Sequence, residues 1–405
     1  SFGIVTVNSN AVRTVTLKNF DDIPAIFNWA LVDGKKKSYT KYFTITPQKA
    51  SIPPHEEVVC QIIFHPKEVN NLIQFEHIKC YIEEFDTPVD ISLYGKSIAC
   101  PADSIFEKKI ETQVRVPVTY EIKIKNPTDK KWRITPSISS RVQSYVTYFK
   151  GSDQVFEIGP GIEGTYTITY KPSTMSKIHQ DDPNEKSKEH DATVFFPIPD
   201  GTAKIYKVLG TALPPSAQQT IEATATVREW TTIKLTITNW LYQTQRFHVS
   251  WGKTEQGIFI KGANTIDVSS NSSKEYKLSF KSLKETPYNF KITFENVDNK
   301  EYIFYIINVT MTPAKTFKEV ELVGQVREIV TGSFTVNNPL NIDVTIPQEQ
   351  VIIENEYLTV TPDIISIPAE SEVAVDVSFR PLVVGKINTN VTIKSSELGE
   401  LKYHL

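Results

Sequence analysis

Cysteine is nearly absent from this chain: there are three in 405 residues, Cys60, Cys80 and Cys100. An odd number confined to the first quarter excludes a disulfide framework for the whole chain and favours a reducing compartment. Charge of one sign is lacking as well. Lys and Arg total 44 against 47 Asp and Glu, a net charge of −3, so no global basic field exists to hold nucleic acid or an anionic membrane. No apolar run is long enough to cross a bilayer, and no signal peptide is read. No window carries an apolar stripe at helical spacing. The catalytic signatures H-E-x-x-H, G-x-S-x-G and G-x-x-x-x-G-K-[ST] and a paired C-x-x-C are all missing. The expectation is a non-enzyme with no catalytic, cofactor-binding or metal residues and no cofactor. Sequons at Asn271, Asn308 and Asn390 are read as chance triplets in a chain rich in Asn, Ser and Thr.

Aromatic residues are plentiful at 11%, and β-branched residues dominate runs that alternate with a period of two, so the fold class is all-β. The stretch Ile158 to Pro172 shows the logic. Gly159, Gly161 and Gly164 fit the G-x-G-x-x-G spacing of a phosphate loop. Tyr166, Ile168 and Tyr170, however, alternate with Thr165, Thr167 and Thr169, which describes a strand where a dinucleotide loop requires a helix. The glycine segment is therefore expected to be a hairpin turn whose glycines are replaceable. Its counterparts elsewhere are Pro53-Pro54-His55, Ser269-Ser270-Asn271 and Pro368-Ala369-Glu370.

The same stretch recurs. Ile52, Ile158, Val268 and Ile367 each stand ten residues before Ile62, Ile168, Leu278 and Val377, and two residues later come Phe64, Tyr170, Phe280 and Phe379. These aromatic positions lie 106, 110 and 99 residues apart, a spacing that means tandem domains. The expected boundaries are 1–99, 100–213, 214–313 and 314–405. The last domain reads as cut short at its final strand, Lys402 to Leu405, and the chain as part of a longer protein with flanking domains. Leu213-Pro214-Pro215 is the clearest linker. Four sandwiches of about 33 Å in an elongated array would reach on the order of 130 Å.

Within the repeats, Val12 to Lys18 ends at Asn19, Val118 to Lys125 at Asn126, Thr232 to Thr238 at Asn239 and Gly332 to Val336 at Asn338. Each Asn is expected to start a turn by bonding the backbone two residues on. Phe27, Trp29 and Leu31 read as one strand, as do Ile342, Val344 and Ile346. Lys35, Lys36 and Lys37 read as a solvated loop. Cys60 takes the slot of Tyr166, Tyr276 and Val375 and so reads as a packing residue. The charged run at 178–191, with His179 and His190, reads as a mobile insertion and not a metal site. His55, His65 and His77 sit on a turn, a strand end and a loop, an arrangement that does not favour a metal.

These residues carry a resemblance. The entrance Phe2-Gly3-Ile4-Val5, the strand-plus-turn segments ending at Asn19, Asn126-Pro127, Asn239 and Asn338-Pro339, and the strand ends Phe64-His65-Pro66, Tyr170-Lys171-Pro172 and Phe379-Arg380-Pro381 resemble the immunoglobulin-like sandwich of the major sperm protein family and its ciliary relatives, the ASH domains of Hydin-type proteins. Asn and aromatic are separated by 45, 44, 41 and 41 residues. The third repeat departs from the pattern, lacking Pro after Asn239 and ending in Phe280-Lys281-Ser282. The Cys, Trp, Cys core of secreted immunoglobulin domains is absent.

The resemblance implies a structural scaffold of the axonemal central apparatus in cilia or flagella. Its partners would be other axonemal or microtubule-associated proteins, with no nucleic acid and no membrane insertion, and its location cytoskeletal. Two alternatives remain: an adaptor that captures linear peptides at a sheet edge or basic patch, and an extracellular adhesion array, favoured only by the sequons.

Overall fold

The computed structural model describes residues 1–178, 182–184, 186–315 and 318–405. Its regular structure is β-strand apart from three short 3-10 turns, Ala102–Ser104, Gln143–Tyr148 and Gln348–Gln350. The chain divides into two compact units, Ser1–Pro214 and Pro215–Leu405. Four separate clusters of buried hydrophobic residues lie within them, two in each unit.

In the first repeat, a five-stranded sheet runs in the order Ile4–Thr6, Val89–Ile98, Asn70–Ile82, Ala25–Trp29, Lys49–Ile52. A three-stranded sheet, Ala11–Lys18, Glu57–Phe64, Phe43–Thr46, covers its inner face. The third repeat repeats this arrangement, and the second and fourth do so with their larger sheets split. In all four repeats the opening strand pairs in parallel with the closing strand: Ile4–Thr6 with Val89–Ile98, Ile105–Gln113 with Ala203–Leu213, Gln219–Thr226 with Tyr302–Thr312, and Lys318–Glu319 with Gly399–His404.

Period-two patterning produces this packing directly. Along Glu163–Tyr170, Tyr166, Ile168 and Tyr170 are buried, the last two completely, each contributing roughly 1.5–3 kcal/mol from burial. Cys60, in the equivalent place of the first repeat, is a buried free thiol packed in the same way.

Three expectations are corrected. Phe156–Ile158 and Glu163–Tyr170 do not form a hairpin: the former pairs with Trp132–Ile134 and the latter with Val118–Lys125 and Phe149–Gly151. The glycine turn therefore crosses from one sheet of the sandwich to the other. Leu31 and Ile342 lie outside their strands and are exposed: pairing with the neighbouring strands stops at Trp29 and starts at Val344. Finally, the charged run does not extend to 191 as a loop, since His190 and Asp191 open the strand His190–Pro197 and both are buried. His179 lies outside the described residues.

Candidate interaction surfaces

The four asparagines share one geometry. Asn126 is fully buried, and its Nδ2 donates to the carbonyls of Lys130, Ile158 and Gly159 at 2.7, 3.1 and 3.1 Å. Its Oδ1 accepts from the Thr128 amide at 3.0 Å. Asn19 bonds Ile23, Ile52 and Pro53 in the same way, Asn239 bonds Gln243, Val268 and Ser269, and Asn338 bonds Ile342, Ile367 and Pro368. The turn two residues on is as expected. The long bond to the sheet-crossing turn was not foreseen, and only the near-constant separation along the chain signalled it. The crossing turn itself has one left-handed residue in every repeat, at His55, Gly161, Asn271 and Glu370, with φ of 59, 68, 45 and 52°.

The histidines are kept apart. His55 Nε2 lies 2.8 Å from Asp22 Oδ1, His65 Nε2 is 2.9 Å from Thr44 Oγ1, and His77 Nδ1 is 2.7 Å from Asp90 Oδ2. Among the described residues no group of three or more His, Cys, Asp or Glu is placed to hold a metal ion. His190 is a core residue. Its Nδ1 shares a 2.7 Å hydrogen bond with the Tyr170 hydroxyl, Thr174 Oγ1 lies 3.4 Å from Nε2, and Tyr145 and Tyr148 flank its ring. Burial pushes its pKa down to about 4. In the lysine loop, Asp33 Oδ1 accepts from the amides of Lys35 and Lys37, and Lys35 Nζ reaches Glu76 at 3.3 Å.

Two features stand out on the surface. The first is a cation–aromatic patch on the three-stranded sheet of the third repeat, the repeat that departs most from the shared pattern. Lys261 Nζ lies 4.7 Å and Lys281 Nζ 5.7 Å from the ring centre of exposed Trp230. Partial burial, with Arg228 and Lys261 nearby, lowers the Lys281 pKa. The second is the joint between the third and fourth repeats. Leu283 directly follows the third repeat's strand Ser273–Ser282 yet packs in the core of the fourth, and the Arg228 guanidinium donates to the Leu398 carbonyl. In the other unit, the Thr6 amide bonds the Gly201 carbonyl and Ser9 Oγ bonds the Thr202 carbonyl, both at 2.8 Å.

No helix among the described residues is long and apolar enough to cross a membrane. No protein-family model matches the chain. Solved structures that match the chain include titin domains I67–I69, at 10% identity and a TM-score of 0.23 over 76% of this chain and 95% of that one. Another is the zebrafish RET cadherin-like domains 1 to 4, at 9% identity and a TM-score of 0.20 over 100% of this chain and 97% of that one. At such scores the fold rests on the sheets described above. Sequence relatives are nearer. The hydrocephalus-inducing protein of Mus musculus is 30% identical over 409 residues, covering 100% of this chain and 8% of that protein. The hydrocephalus-inducing protein homolog of Homo sapiens is 30% identical over 413 residues with the same coverage. This chain thus spans about a twelfth of the length of the relatives it matches. It is a Hydin-like run of immunoglobulin-like domains, similar along all of its residues to one segment of the hydrocephalus-inducing protein.

Proposed function

We propose that the chain is a non-enzymatic structural segment of a large ciliary protein, acting in the axoneme by protein–protein contact. Four domains, with boundaries near 99, 213 and 313, present sheet edges, loops and turns to neighbouring axonemal or microtubule-associated proteins. The observation that carries this reading is the similarity to a Hydin-type protein along every repeat. Packed joints within each unit support it, because a scaffold needs domains that hold their neighbours. The test is proximity labelling with the tagged chain in ciliated cells. Enrichment of axonemal proteins over a cytosolic control is the expected result. Labelling confined to membrane or secreted proteins would overturn it.

The Trp230, Lys261 and Lys281 patch favours a second reading, an adaptor surface for acidic linear peptides. A peptide array decides between the two. Capture of one acidic motif at micromolar affinity, lost in Trp230→Ala, supports the adaptor.

A further inference from the structure

The cation–aromatic patch of the third repeat and the joint between the third and fourth repeats are built from the same three chain segments. Residues 228–230 give Trp230 to the patch and Arg228 to the joint, where its guanidinium donates to the Leu398 carbonyl. Residues 257–261 give Lys261 to the patch. Within them, Phe259 lies under Lys281 at 6.0 Å and packs against the core of the fourth repeat, and the Gly257 carbonyl accepts the Leu283 amide at 2.9 Å. Residues 281–283 run from Lys281 in the patch to Leu283 in that core, and the Ser282 carbonyl between them accepts the Arg228 amide at 2.8 Å. Trp230, Lys261 and Lys281 thus each stand two positions from a residue that touches the fourth repeat: Arg228, Phe259 and Leu283.

The patch is a crowded set of cations. Lys234 and Lys277, on the same sheet face, both pair with Glu275, at 3.4 and 3.9 Å. Lys261 and Lys281 have no carboxylate partner among the described residues. Partial burial, with Arg228 and Lys261 nearby, disfavours the charge on Lys281. The aromatic platform is particular to this repeat. Asn10, Pro117 and Ile329 hold the place of Trp230 in the others, directly before Ala11, Val118 and Val330, which face Phe64, Tyr170 and Phe379 as Thr231 faces Phe280.

Positive charges held close together attract an anion more strongly than the same charges let apart. With the fourth repeat docked, the Leu398 carbonyl keeps the Arg228 guanidinium near the lysines. With it undocked, the long Arg228 side chain reaches water and carries its charge away.

We propose that the patch and the joint are one coupled device: an acidic peptide segment on Trp230, Lys261 and Lys281 is bound more tightly when the fourth repeat is docked, and once bound it holds the two repeats together. The coupling rests on the acidic-peptide reading of the patch. By linkage the two effects are equal: the factor that docking adds to peptide affinity is the factor that peptide adds to the docking equilibrium. A partner carrying such a segment would stiffen this joint.

The probe is a hexaglutamate peptide with blocked ends, added to the whole chain. Titration calorimetry reads its affinity, and amide hydrogen exchange reads the fourth repeat. Saturating peptide is expected to slow exchange about fivefold or more along Asn390–Ser395, whose Val391 and Ile393 share a core cluster with Leu283. Gly399→Asn is expected to weaken peptide binding by about the same factor. Asn tolerates the φ of +74° at this position, so the hairpin is kept, but its Cβ collides with the Leu283 carbonyl and opens the joint. Trp230→Ala should abolish both binding and protection. Failure of the peptide to bind the unaltered chain overturns the acidic-peptide reading and the coupling with it. Binding and protection that persist in Trp230→Ala place the peptide elsewhere and overturn both as well. Binding that leaves exchange along Asn390–Ser395 unchanged, or that is equally tight in Gly399→Asn, overturns the coupling alone.

Discussion

The side-chain amide of Asn126 donates to the carbonyl of Ile158, 32 residues away, across 3.1 Å in the buried interior. One end of the bond lies where a strand of one sheet stops, and the other where the chain crosses between sheets. Asn19 with Ile52, Asn239 with Val268 and Asn338 with Ile367 repeat the relationship. The asparagine is therefore a clamp between the two sheets as well as the start of a turn.

Replacing Asn126 with Ala leaves three carbonyls without that donor and is expected to cost about 1–3 kcal/mol. Asn126→Asp costs more, because a carboxylate aims charge at the same oxygens and cannot donate. Urea denaturation of the two variants checks the order, and Asp milder than Ala would refute the clamp.

Ile168 is completely buried, so Ile168→Asp places an unpaired charge in the core and is expected to unfold the second repeat. Gly161, at φ +68°, is not freely replaceable. Gly161→Asn is expected to be mild, since Asn271 adopts the same conformation in the third repeat, while Gly161→Val costs about 1–3 kcal/mol. Thermal melts of the three variants should rank Asn, Val, Asp in increasing damage.

His190 makes stability depend on pH. Its folded pKa, about 4, lies below the ordinary 6.5, so the native state stays neutral where the unfolded chain takes up a proton. The contribution is complete above pH 6.5 and is lost as pH falls towards 4, on the order of 3 kcal/mol in all. His190→Gln should flatten the melting temperature of the second repeat between those values. An unchanged slope would show that other groups carry the dependence.

Leu283 belongs to the third repeat by sequence and to the fourth by packing. Leu283→Ala is expected to cost about 2–5 kcal/mol, felt in the fourth repeat. Hydrogen exchange should accelerate along Asn390–Ser395 and Gly399–His404 and stay unchanged along Tyr288–Asn296. Acceleration in the third repeat alone would show that the joint does not couple the two.

The sequence by itself determined the all-β class and the inward faces, because a strand's period of two is written in the order of residues such as Tyr166, Ile168 and Tyr170. It also located the asparagines and their aromatic partners by counting. Tertiary structure decided what pairing and burial alone can settle. A turn between two strands reads the same whether they pair with each other or with different sheets, so the Gly159–Ile162 crossing looked like a hairpin. His190 looked solvated because its neighbours in sequence are charged, whereas its neighbours in space are Tyr145, Tyr148 and Tyr170. The clamp bond of Asn126 depends on contacts between residues tens of positions apart, which local pattern does not encode.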